Sequence, residues 1–87
     1  ATALVLVVGG LTRLTRLEWC ALVFAIALVW IAEGVNTALE KLADAAVPER
    51  NDLVAQAKDV AAGAVLIAAF AAVAVGALLF VPRLLAL

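Results

Sequence analysis

Residues 32–44 read AEGVNTALEKLAD and continue a preceding apolar run without a helix-breaking residue. At about 100° per residue, the polar side chains of this stretch fall within an arc of roughly 100° on one helix face. They are Glu33, Asn36, Thr37, Glu40 and Asp44. A polar stripe on an apolar helix costs free energy in a membrane, and such residues usually face protein or water. The stretch therefore predicts a polar site at the lipid–water boundary.

Composition places the whole chain in a membrane. Of its 87 residues, 69% are apolar, and the mean hydropathy is +1.25, whereas soluble domains are roughly half apolar. The formal net charge of −1 offers no basic surface to nucleic acid. Cys20 is the single cysteine and the sequence has no histidine, which excludes an internal disulfide and a cysteine–histidine zinc site. We expect an all-α membrane protein with one domain over residues 1–87.

The segments before the polar stretch predict two helices. Residues 1–11 are apolar but rise only about 16 Å as a helix, roughly half of a bilayer core. We therefore expect a first membrane helix that is truncated at its beginning. Thr15 and Glu18 have the spacing of a capping box, which starts the second helix at about Arg16.

The second helix must carry an acidic residue into the membrane margin. Its apolar run, residues 19–32, rises about 21 Å and falls short of the roughly 30 Å core. To complete the crossing, the helix must place Glu33 within the margin of the membrane. An ionisable side chain at mid-bilayer costs about 2.5–3.5 kcal/mol. Val47 and Pro48 should end this helix, because proline cannot continue the hydrogen-bond ladder and restricts the residue before it.

A third membrane helix follows a short polar tip. Asn51 or Asp52 can cap it, and the apolar run of residues 60–81 rises about 33 Å, enough to cross once. Pro82 is expected to close the crossing and residues 84–87 to form a short tail. Small residues recur at every fourth position of this run, which favours close helix packing in lipid. They are Ala64, Ala68, Ala72 and Gly76.

The second and third helices are predicted to form an antiparallel hairpin, because only the short tip joins them. Residues whose numbers add to about 99 then lie at equal depth. Glu40 is thus expected level with Lys58 and Asp59, and Asn36 level with Gly63. Lys58 and Asp59 therefore lie at the same membrane depth as the polar stripe of the second helix. Gly63, which has no side chain, leaves space opposite that stripe.

These residue types suit phosphoryl transfer. A carboxylate such as Glu40 is a hard oxygen ligand of the kind Mg²⁺ takes, and Lys58 offers positive charge to phosphate oxygens. Glu33 could accept the proton of an attacking alcohol, and Asn36 could orient that centre. Phosphoryl transfer needs mainly positioning and charge neutralisation. Neither glycine-rich nucleotide loop, Gly-x-x-x-x-Gly-Lys-Ser/Thr or Gly-x-Gly-x-x-Gly, occurs in the sequence.

Two motifs carry a family resemblance. Residues 33–40 read EGVNTALE, Asp44 follows, and residues 57–66 read AKDVAAGAVL. The pattern resembles the small prokaryotic integral-membrane lipid kinases, the diacylglycerol kinase and undecaprenol kinase family, over residues 4–79. Thr37 is among the variants that look more like the undecaprenol kinase branch. The resemblance implies ATP- and Mg²⁺-dependent phosphorylation of a membrane lipid alcohol, either undecaprenol or diacylglycerol.

The same resemblance implies a role for each matching residue. Glu33 would be the catalytic base, and Asn36 would help to position the reacting groups. Glu40 would bind Mg²⁺, and Lys58 would contact the phosphates of ATP. The two acidic residues expected to support the site or the nucleotide are Asp44 and Asp59.

The resemblance also implies an assembly and a location. Such proteins are homotrimers of three-helix subunits, with active sites shared between neighbours on the cytoplasmic side of the bacterial inner or plasma membrane. They begin with a surface helix and a first membrane helix that carries another metal-binding glutamate, and we expect this chain to lack that beginning. Charge does not orient the chain, because three basic residues fall at each membrane end; the need for ATP places the polar stretch in the cytoplasm.

The residues alone leave two other functions open. A lone carboxylate near the end of an apolar helix, such as Glu33, also fits a proton- or cation-translocating membrane subunit. That alternative does not need Glu40 and Lys58 as well. A purely structural membrane subunit would need only the stripe of small residues.

Overall fold

Three α-helices make up the described part of the chain. The computed structural model describes residues 2–86, with α1 at Thr2–Leu11, α2 at Arg16–Ala46 and α3 at Asp52–Leu85. α2 and α3 are long and apolar enough to cross a membrane, whereas α1 is a shorter apolar helix. The Cα atoms extend over 55 × 18 × 18 Å, as expected for a narrow bundle. The predicted all-α architecture is confirmed.

The ends of α2 follow the sequence signals. Thr15 Oγ1 accepts a hydrogen bond from the Glu18 amide at 3.2 Å, and Glu18 Oε1 accepts one from the Thr15 amide at 3.0 Å. This is the predicted capping box, which satisfies two amides at the start of the helix. α2 ends at Ala46 with Val47 as its C-cap, directly before Pro48. Both predicted boundaries of this helix are confirmed.

Asn51 caps α3. Its Oδ1 accepts a hydrogen bond from the Val54 amide at 3.1 Å. Asp52 is the first helical residue, where a carboxylate is stabilised by the positive end of the helix. The sequence allowed either residue as the cap, and the structure assigns that role to Asn51.

The helix continues past Pro82 to Leu85, so the short tail expected after the proline begins as a continuation of the helix. Proline removes one amide donor and crowds the preceding turn, but few backbone hydrogen bonds follow so close to the helix end. Arg83 Nη1 donates to the Leu79 carbonyl at 2.8 Å, and the Ala86 amide donates to the Pro82 carbonyl at 3.1 Å. These bonds hold the last turn together around the proline.

An antiparallel seam between α2 and α3 is the main tertiary contact. Buried or half-buried positions recur three and four residues apart on each helix, the spacing that keeps one face against a partner helix. On α2 they are Leu22, Ala25, Val29, Ala32, Asn36, Leu39 and Ala43, and on α3 they are Val54, Lys58, Ala61, Val65, Ala68, Ala72 and Val75. Ala25 and Ala68 are only 7% and 4% exposed. Small residues thus let the two backbones approach closely.

The end of the hairpin away from the tip is joined by an ion pair. Arg83 donates to both carboxylate oxygens of Glu18, a paired geometry that is stronger and more specific than a single contact. The pair links the end of α3 to the start of α2. Sequence reasoning assigned Glu18 to the cap alone, although both residues lie at one depth in the predicted hairpin.

α1 contacts the hairpin through a glycine. Gly9 is buried, and a Cβ at this position would lie 2.9 Å from Trp19 Cη2 and 3.2 Å from Leu14 Cδ1. The missing side chain is what lets α1 touch the first turns of α2. Near the start of α1, Trp30 Nε1 donates to Thr2 Oγ1 at 3.3 Å.

Large apolar side chains cover the outside of the hairpin. Phe24 is 80% exposed and Phe70 is 72% exposed. In water such a surface would indicate an interface or a risk of aggregation. Lipid tails, however, are as apolar as leucine, so this outer surface suits hydrocarbon and neighbouring helices.

Gly9→Ala is expected to weaken the packing of α1. Overpacking a close contact costs about 1–3 kcal/mol, which the better helix propensity of alanine offsets only in part. Gly10→Ala is the matched control, because nothing lies within 4 Å of a Cβ there, and it should add up to about 1 kcal/mol of stability. Thermal unfolding followed by circular dichroism measures both. Equal stability of the two variants would contradict the packing role of Gly9.

Arg83→Met is expected to lower the thermal unfolding midpoint more than Arg50→Met, because Arg50 is exposed at the tip and Arg83 holds Glu18. Glu18→Gln weakens the same pair while glutamine still serves a capping box. Its effect should therefore largely vanish when Arg83 is already Met. Fully additive effects of the two substitutions would show that the ion pair does not couple the helix ends.

Candidate active site

The polar residues gather at the end of the hairpin that carries the tip. α2 contributes its last turns and α3 its first turns, and the chain reverses between them at residues 47–51. Lys58 Nζ donates across the hairpin to Asp44 Oδ1 at 2.5 Å. The predicted register placed Lys58 level with Glu40, whereas the observed partner lies one helical turn nearer to the tip.

Lys58 has two acidic neighbours on α2. Its ammonium group donates a hydrogen bond to Asp44, and the negative charge of Glu40 is close enough to act on it as well. Glu40 and Asp44 are four residues apart, so they lie on the same side of the helix, one turn from each other. The Lys58 side chain is 33% exposed and that of Asp44 is 69% exposed. The lysine therefore pairs with Asp44, has Glu40 nearby and remains open to solvent.

Asn36 lies inside the seam rather than on the outer face. The residue is half-buried, and its buried Oδ1 has no hydrogen-bond partner within residues 2–86. A buried acceptor without a donor costs about 1–3 kcal/mol. A buried polar atom without a partner often marks a functional site, where a ligand or another group supplies the missing hydrogen bond. The seam thus presents one free acceptor, a single helical turn from Glu33.

The carboxylates of the stripe lie outside the seam. Glu33, Glu40 and Asp44 are all exposed, and so is Asp59 on α3. Glu33 lies about 10 Å along the helix axis from Glu40 and roughly 16 Å from Asp44. One chain therefore brings Glu40, Asp44 and Lys58 together, and it leaves Glu33 two turns deeper on the same helix.

Glu40 fits a magnesium ion as a single carboxylate ligand. Across residues 2–86, no three acidic, cysteine or histidine side chains lie close enough together to hold a metal. Mg²⁺ is commonly held by one or two carboxylates together with substrate phosphates and water. The neighbouring ammonium of Lys58 is a suitable partner for those phosphates. The residues present thus suit an ion shared with a bound nucleotide better than a cage built by the protein alone.

Gly63 provides the open space predicted for it. A Cβ at this position would meet no atom within 4 Å, and the residue is half-buried. It follows Lys58 by little more than one turn of α3. Five residues turn a helix by about 140° beyond a full turn, so Gly63 and Lys58 lie on different sides of α3.

An apolar cleft lies between the helices, farther from the tip than the polar residues of the site. It encloses about 390 Å³ between the three helices, and its lining includes Ile26, Trp30, Val73 and Phe80. Trp30 lies one helical turn before Glu33, so one end of the cleft approaches that carboxylate. Sequence reasoning missed the cleft, because it depends on how α1 lies across the hairpin.

A charged cluster at one end of an apolar helical hairpin, with an apolar cleft deeper between the helices, defines the class of protein. Such a protein brings polar chemistry to the edge of the membrane. The sequence profile of the prokaryotic diacylglycerol kinase family matches residues 1–80. The chain belongs to this family, which confirms the resemblance seen in its motifs.

Two relatives illustrate the membership. A Synechocystis protein named diacylglycerol kinase is 44% identical over 84 residues, which cover 95% of this chain and 48% of that protein. A Bacillus subtilis protein named undecaprenol kinase is 36% identical over 84 residues, which cover 97% of this chain and 68% of that protein. The chain thus spans about half the length of the first relative and about two thirds of the second. No solved structure gives a significant match.

Proposed function

We propose that this protein transfers the γ-phosphate of ATP to the hydroxyl group of a membrane lipid, with Mg²⁺ as the metal ion. The observation that carries the proposal is the grouping of Lys58, Glu40 and Asp44 at the tip end of the hairpin, with Glu33 on α2 between that group and the deeper apolar cleft. The names of the two relatives make diacylglycerol and undecaprenol the candidate acceptors.

The apolar cleft supports a lipid as the acceptor. Its lining suits a hydrocarbon chain, since ligand pockets are mostly apolar with a few polar groups that fix orientation. One end approaches Glu33, the carboxylate that lies deepest in the stripe. A lipid lying along the cleft would present its hydroxyl group at the boundary, where a water-soluble nucleotide can meet it.

Glu33 is the proposed general base. The hydroxyl oxygen of the lipid attacks the γ-phosphorus, its proton passes to the Glu33 carboxylate, and the bond to the β-phosphate oxygen breaks to release ADP. A positioned base contributes about 10²–10⁴-fold to such a step. Asn36 helps to position the reacting groups, because its unpartnered Oδ1 is available to a donor in the bound complex.

The nucleotide is assigned to the tip end of the hairpin. Lys58 contacts the phosphates of ATP, and Glu40 would hold Mg²⁺ together with phosphate oxygens. When bound, the ion neutralises charge on those oxygens. Asp59 is exposed next to Lys58 and supports the nucleotide. Because ATP is the donor, this end faces the cytoplasm.

A homotrimer with shared sites suits the exposure of the carboxylates. Glu33 is exposed in an apolar surrounding, and an intramembrane carboxylate usually faces protein or a water-filled space. The roughly 16 Å between Glu33 and Asp44 on one helix also leaves room for groups from a neighbouring subunit. Each protomer would then contribute part of the site.

Transfer of labelled γ-phosphate by the intact protein in lipid micelles tests the proposal, with undecaprenol and diacylglycerol assayed side by side. Label in either lipid supports a kinase and identifies the acceptor. Proton flux in liposomes without ATP, and no label in lipid, would favour the proton-translocating alternative that uses Glu33.

Glu33→Gln is expected to lower kcat by about 10²–10⁴-fold, because glutamine keeps the shape and cannot take the proton. The KM for ATP should change little, since Glu33 lies two turns from Glu40. Initial rates of lipid phosphorylation at saturating ATP measure the effect. Glu49→Gln, at the exposed tip, is the matched control. Full activity of Glu33→Gln would show that Glu33 is not the general base.

Glu40→Gln is expected to raise the Mg²⁺ concentration needed for half-maximal activity by about tenfold or more, because a neutral amide replaces an anionic oxygen ligand of the ion. Titration of Mg²⁺ at fixed lipid and ATP measures the shift. Excess Mg²⁺ should restore part of the activity. An unchanged Mg²⁺ requirement would show that this carboxylate does not hold the ion.

A further inference from the structure

Asp44 has a contact that the proposed chemistry does not by itself require. Its carboxylate accepts from Lys58 Nζ at 2.5 Å and joins the last turn of α2 to α3. With the two side chains 69% and 33% exposed, the pair resembles a surface ion pair, and such pairs add little to stability. Holding the hairpin together is therefore a weak reason for this contact.

The geometry instead suits a contact that fixes the conformation of the Lys58 side chain. A lysine ammonium has three donors, so the bond to Asp44 leaves others free for phosphate oxygens. A free lysine side chain loses rotamer freedom when it binds, which is equivalent to roughly a tenfold or greater loss in affinity. The contact with Asp44 orders that side chain beforehand and holds its ammonium on the side of α2 that carries Glu40.

The charge of Asp44 also opposes the binding of an anionic nucleotide. This repulsion acts through water, because most of the Asp44 side chain is exposed, and salt screens exposed charges beyond about 8–10 Å. The hydrogen bond to Lys58 is direct and short-range, so salt weakens it less than it weakens a repulsion that acts across water. Ordering of the lysine is therefore expected to outweigh the repulsion.

We propose that Asp44 is a positioning residue that holds the Lys58 ammonium ready for a nucleotide phosphate beside Glu40. The inference rests on the proposed function, because it takes Lys58 as the group that contacts the phosphates. Asp44 itself acts through the lysine and touches neither substrate.

Asp44→Asn in the intact protein is expected to raise the KM for ATP by about two- to fivefold, the effect that an exposed ion pair can have, while kcat and the KM for the lipid stay close to those of the parent. Asp44→Glu should restore part of the affinity, because it returns a carboxylate to the lysine. Glu49→Gln removes the same charge from the tip and should leave all three parameters unchanged. Thermal midpoints like that of the parent exclude a folding defect.

The Lys58→Met variant separates this inference from the proposed function. It should raise the KM for ATP, and adding Asp44→Asn to it should change nothing further. If Lys58→Met raises the KM while Asp44→Asn lowers it or leaves it unchanged, the positioning role is wrong and the kinase assignment stands. Additive effects in the double variant would also overturn the positioning role. If Lys58→Met leaves the KM unchanged, the phosphate contact fails and this inference fails with it.

Discussion

The close packing of α2 against α3 is the contact on which the rest of the structure depends. In lipid no hydrophobic force drives helices together, so association relies on shape. Alanines such as Ala25 and Ala68 supply that shape by letting the backbones approach. Ion pairs lie at the two ends of the seam, Glu18 with Arg83 and Asp44 with Lys58. Packing along the middle, together with the less exposed Glu18–Arg83 pair at one end, sets the register of the hairpin.

That register decides which polar groups face inward. Asn36 falls on the seam and keeps a buried acceptor without a partner, while Glu33 and Glu40 fall on the open side. The proposed site thus combines one buried acceptor with carboxylates that are accessible on the outer side of α2.

Much of the fold was predictable because its signals are local. The capping box at Thr15, the proline after Val47 and the asparagine before α3 each act through hydrogen bonds within a few residues. Pro82 shows the limit of such rules, since its cost depends on how much helix follows. The site was predictable as a group of residues at one membrane end, and the family motifs indicate their roles. The pairing of Lys58 with Asp44 rather than Glu40 required the structure.

The sequence by itself determined a membrane hairpin with a polar stretch at its tip, because hydropathy, helix length and capping are properties of neighbouring residues. Tertiary structure decided that Asn36 lies inside while Glu33 lies outside, and that a cleft forms beneath α1. The physical reason is that α2 and α3 are apolar on nearly every side, so no amphipathic pattern selects the contact face. Only the fit of small and large side chains across the seam sets the rotation of each helix.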